Sequence, residues 1–244
     1  MVQGFTTYSE DFVIGDIFRL SKEFTAFYQS DRALIQGVVY WARDVSLPPG
    51  IDFRTTRWKR EGQSGDITRM VRLRRIPAIQ KDAFKIAHEL THLILDDYGF
   101  PSLGARYRQF EDLASALSSA FLDPLVDTRL QRYGFSLSKD CRRESDDAFR
   151  QTRNSPPPQN QLQRFHWIFN YFGFLLEWKL VKDQIDLTQG EFAQWFKNAY
   201  PDIVSEAENL FTLAEHRGFD TPEKLRDILW NVTSSYGLHQ VLFL

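Results

Sequence analysis

The chain has 244 residues, 43% of them apolar and 25% charged, with a formal net charge of -2. That balance fits one large or two modest globular domains and gives no overall attraction to nucleic acid or an anionic membrane. A single cysteine, Cys141, excludes an intrachain disulfide framework and a cysteine-rich zinc site, so any metal must rest on histidine and carboxylate.

From the N-terminus, Met1-Val2-Gln3-Gly4-Phe5 shows no basic stretch leading into an apolar run, so a cytoplasmic protein is expected. Residues 12–45 predict two helices split near Ser30-Asp31, closed by Pro48-Pro49-Gly50. Strand-like runs follow from Ile51 to Trp58 and from Ile67 to Ile76, with Glu61 to Asp66 as the turn of a hairpin. In the second run Val71 and Leu73 alternate with arginines, and basic residues from Arg54 to Arg75 read as a solvated face.

Helices are predicted over Lys81 to Tyr98, closed by Gly99 and Pro101, and over Arg106 to Leu122. Asp123-Pro124 reads as N-cap and first residue of another helix, which runs to Tyr133 and stops at Gly134. Residues 151–161, with three prolines, read as a linker between a first domain at 1–150 and a helical region at 162–244. Within that region Thr188 with Glu191 suggests a capping box, and Thr221-Pro222 a further helix start. The aromatic run from Phe165 to Leu176 is too short to span a bilayer.

The chemistry lies in His88-Glu89-Leu90-Thr91-His92, which fits the pattern H-E-x-x-H. Helical residues four apart share a face, so the two histidines can hold one ion from successive turns. Glu89, rotated by about 100°, stands beside the ion as a proton acceptor. The flanking residues are apolar nearly all round, so the helix is expected to be buried. Two histidines and a glutamate there need a compensating partner, which a metal supplies.

Catalytic zinc sites use three protein ligands and keep one position open. Glu111, 19 residues beyond His92 on the next predicted helix, is the leading candidate for the third. Asp123 and Asp127 are alternatives, as ligand and supporting acceptor, although Asp before Pro is a natural N-cap.

The segment from Ile86 to Leu95 resembles the zinc motif of the ImmA/IrrE-type metallopeptidases. That family carries a second motif, E-x-x-A-x-x-F-A-x-x-L-L-x-P. Here Glu111, Ala114, Leu117, Ser118, Phe121, Leu122 and Pro124 stand at those spacings. Thr91 departs from the family's usual Gly, Ser115 from a frequent Asn and Asp123 from a Met. The resemblance spans roughly residues 50–130. It implies a zincin-like core of helices and a small sheet; with the helices predicted after the linker, which have no counterpart in that family, the expected fold is α+β, a mainly helical zincin-like core with a small sheet followed by a helical C-terminal region. It also implies Glu111 as third ligand.

The expected function is therefore a cytoplasmic zinc (Zn2+) metallopeptidase acting on a protein or peptide substrate. Its metal ligands would be His88, His92 and Glu111, and its general base Glu89. Arg106, Tyr107, His166, His216 and His239 are open choices for stabilising an oxyanion. The alternative is a structural zinc in a regulatory protein that acts by binding another protein.

Overall fold

The computed structural model describes residues 5–47, 53–59 and 67–244; the expected turn at 61–66 and Pro48-Pro49-Gly50 lie outside them. The fold is α+β and dominated by helix. Two compact units form, one from residues 1–98 and 129–135, the other from 99–128 and 136–244.

In the first unit, strand β1 (Thr7–Tyr8) precedes helices α1 (Glu10–Leu20) and α2 (Lys22–Asp31). Ser9 caps α1 by accepting from the Phe12 N–H, and Ser21 caps α2 by accepting from that of Phe24. The split expected near Ser30-Asp31 therefore falls at Ser21, whose own N–H donates to the Ile17 carbonyl and ends α1. Asp31 has a different task. Its carboxylate is buried, taking 2.6 Å hydrogen bonds from Arg129 Nε and the Tyr133 hydroxyl.

Burial alone would raise the Asp31 carboxyl, but the Arg129 and Tyr133 hydrogen bonds outweigh it and hold it below the ordinary carboxylate range. Its stabilising effect is complete above the unfolded value and is lost as pH falls through the lower folded one. Asp31→Asn should thus weaken the protein at neutral pH. Denaturant titrations at several pH values should show the gap to wild type closing in acid; a gap that stays constant would contradict this.

Residues Val38–Arg43, expected as helix, form strand β2. The run Val-Val-Tyr-Trp is β-branched and aromatic, which suits a pleated, half-buried surface. Strands β3 (Phe53–Lys59) and β4 (Ile67–Leu73) pair antiparallel, with Phe53 opposite Leu73 and Lys59 opposite Ile67, as the hairpin reading required. The sheet order is β1-β2-β4-β3, with β2 parallel to β4.

Arg69 and Arg72 of β4 and Arg75 after it form ion pairs within the chain. Arg69 meets Asp97, Arg72 meets Asp44 at 3.1 Å, and Arg75 meets Asp82 at 2.8 Å. Helix α3 (Ala83–Asp97) then buries Ile86, Ala87, Leu90, Leu93 and Ile94. It ends at Gly99, whose φ of 84° suits glycine.

Helix α4 (Glu111–Gln131) does not break at Asp123-Pro124: Pro124 lies inside it. Proline forfeits one backbone hydrogen bond, but the surrounding Phe121, Val126 and Leu130 are all fully buried and hold the helix together.

In the second unit, strand β5 (Gly104–Ala105) pairs antiparallel with β6 (Leu242–Phe243). Helices α5 (Leu137–Arg153) and α6 (Gln161–Val181) flank residues 154–160, so the proline-rich segment is a loop inside this unit. Helices α7 (Glu191–Ala199), α8 (Pro201–Arg217) and α9 (Pro222–Ser235) complete it. Thr188 forms no capping box; Gly190 is the N-cap of α7, and Thr188 instead donates to Asp186. Thr221 caps α9 as expected, accepting from the Lys224 N–H. Aromatic packing fills the unit, with Tyr171 stacked on Phe196 at 4.7 Å and Phe121 edge-on to Phe172 at 5.0 Å. Among the described residues no helix is long and apolar enough to cross a membrane.

Candidate metal centre

The centre begins with the periodicity of α3. Its buried face carries Ile86, Leu90 and Leu93, while His88 and His92 lie on a half-buried face. Their Nε2 atoms stand 3.0 Å apart. Two nitrogens on one tetrahedral zinc, each about 2.0–2.1 Å from it, would be about 3.3 Å apart. The helix thus sets both imidazoles close to the spacing a shared ion needs. Without an ion, the same spacing suits a hydrogen bond from one ring to the other.

Phe84 packs against His88 at 5.9 Å and against Phe135 at 5.8 Å, which limits the swing of the first ring. Thr91, between the histidines, is buried and donates to the Ala87 carbonyl at 2.8 Å, so its hydroxyl costs the core little.

The third member is Asp123. His88, His92 and Asp123 each offer one ligand atom, and these atoms all lie within 4.8 Å of one another. All three residues are half-buried, leaving access for water or substrate. Two imidazole nitrogens and a carboxylate oxygen are a donor set that zinc and other divalent transition metals accept.

Glu111 stands exposed at the first residue of α4 and is not in this group. It precedes Asp123 on one unbroken helix by twelve residues, about 18 Å along the axis. Both cannot bind the same ion. Asp123 lies mid-helix rather than at the N-cap that the Asp-Pro reading had assigned it. Asp127 is buried one turn further along and lies outside the group.

Glu89 is half-buried beside the two histidines on α3. Among the described residues no other His, Cys, Asp or Glu joins the three. The candidate oxyanion donors are scattered. Tyr107 is 60% exposed, His216 is exposed on α8, and His239 lies against Trp230 at 6.5 Å. His166, next to Asn170, has its pKa lowered by burial, partly opposed by the charge of Asp112.

No protein-family model, no curated protein and no solved structure matches this chain.

Proposed function

We propose that the chain is a zinc-dependent peptide hydrolase in which His88, His92 and Asp123 hold the ion and Glu89 handles the proton. The carrying observation is the pair of Nε2 atoms 3.0 Å apart, with Asp123 completing a three-donor group. A zinc ion held there would supply Lewis acidity toward a water and a substrate carbonyl. His88 and His92 orient that ion through α3, and buried Leu90 and Leu93 keep water from the back of the helix. The Glu89 carboxylate takes a proton from the attacking water and returns it to the departing amine.

The resemblance of residues 86–95 to the ImmA/IrrE-type zinc motif supports this reading, and it extends to a protein or peptide as substrate. The second family motif lends less, since Glu111 stands away from the group. A purely structural ion is the rival. It has no use for Glu89, and structural zinc sites are closed by a fourth protein ligand.

Metal analysis and cleavage of a mixed peptide library, on wild type and Glu89→Gln together, test the proposal. Both proteins should hold one zinc per chain, and the variant should cleave roughly 100- to 10,000-fold more slowly. Equal cleavage by the two, or a wild type that binds no metal, would overturn it.

A further inference from the structure

We propose that a cavity of about 390 Å³ in the second unit, between α4, α5, α6 and α7, binds an uncharged planar aromatic group with a hydrogen-bonding substituent at its edge. The inference concerns the second unit alone and is independent of the hydrolase reading. The volume falls in the range of small-ligand pockets, about 300–1,000 Å³. An apolar cavity of about 150 Å³ already holds benzene, so two fused rings have room here.

Helical spacing explains why the space exists. Ala116 and Ala120 stand one turn apart on α4, and Ala148 adds a third short side chain from α5. Gly173 on α6 is buried, and a Cβ there would stand 3.4 Å from Ala120, so the two helices touch at that point without a side chain from Gly173 entering the space. Rings supply the rest of the apolar lining. Trp167 and Phe174 come from α6, two turns apart, and Phe192 and Phe196 from α7, one turn apart. These rings already meet one another by their edges: Phe174 and Phe192 are T-shaped at 5.5 Å.

The polar groups of the lining decide the charge of the occupant. Its carboxylates are committed, since Asp147 pairs with Arg150 and Asp123, Glu144 and Glu177 have partners of their own. A cation therefore finds no free opposite charge in exchange for its hydration. The uncharged groups differ. Among the described residues, the side chains of Ser119, Gln151 and Thr152 form no hydrogen bond within the chain. Gln151 is exposed and Thr152 half-buried, adjacent in the last turn of α5, while Phe192 and Phe196 are buried. An amide and a hydroxyl thus stand on the solvent side of an aromatic interior.

This division favours one chemistry. An aromatic ring presents a positive edge to the faces of other rings, which adds to the gain from burial. Its edge substituent exchanges hydrogen bonds with Gln151 and Thr152 in place of water. A saturated ring of the same size keeps the second gain and forfeits the first.

The test uses 2-naphthol and decahydro-2-naphthol, matched in skeleton and hydroxyl, titrated into the full chain and followed by NMR. Naphthol should bind about tenfold more tightly, the worth of one or two edge-to-face ring contacts. Its protons should show nuclear Overhauser contacts to Trp167 and Thr152. Filling the space with Ala116→Leu and Ala148→Leu should abolish binding while the circular dichroism spectrum stays unchanged. Nα-acetyl-tryptophan amide, a fused ring on a peptide backbone, separates the two sources of such a group. Tighter binding of the amide makes the occupant a side chain, and tighter binding of naphthol a free molecule. Equal binding of the two naphthol compounds, contacts elsewhere on the chain, or no saturable binding of naphthol or the amide up to ~1 mM would overturn the proposal.

Discussion

Asp123→Ala should weaken zinc binding by more than about 100-fold, the upper end of what losing a partner outside the ligand set costs. Glu111→Ala should leave zinc binding unchanged. The contrast follows from the geometry: Asp123 offers an atom within 4.8 Å of those of His88 and His92, while Glu111 is exposed at the far start of the same helix. Competition titrations against a zinc chelator measure both. Zinc affinity lost in Glu111→Ala and kept in Asp123→Ala would reverse the assignment and restore the ligand set that the ImmA/IrrE resemblance implies.

Asp97→Ala should cost about 3–5 kcal/mol of stability, the usual penalty for removing one partner of a buried ion pair. The side chains of Arg69 and Asp97 are 0% and 3% exposed. Asp97 also accepts from the Gln36 N–H at 2.8 Å, and Arg69 donates to the Gln36 carbonyl. These bonds fix the C-terminal end of α3, five residues beyond His92, to strand β4 and the segment before β2. Arg69→Met combined with Asp97→Ala should recover much of the loss, since an apolar pair strands no charge. Denaturant midpoints of the single and double variants decide this; a single variant within about 0.5 kcal/mol of wild type would contradict it.

The pairing of His88 and His92 was legible in the sequence because a helix converts a spacing of four directly into a shared face. The hairpin of β3 and β4 was legible for the matching reason, as alternation maps onto a pleated strand. Asp123 was harder to read. Asp-Pro is a strong local signal for a helix start, and only tertiary packing around Phe121, Val126 and Leu130 keeps α4 unbroken through Pro124.

The same competition misplaced the first helix boundary. Ser21 and Ser30 are equally plausible caps by residue type, and what distinguishes them is the distant pairing of Asp31 with Arg129 and Tyr133. Strand β2 went unread because a short apolar run carries no period long enough to separate helix from strand.

The central claim is that one divalent ion sits on His88, His92 and Asp123. Anomalous diffraction at the zinc edge, from crystals grown with zinc, tests it most directly. The account predicts a single strong peak per chain, about 2.0–2.2 Å from one nitrogen of each histidine and from an Asp123 carboxylate oxygen. A peak bound by Glu111 in place of Asp123, or no peak beside His88 and His92, would contradict it.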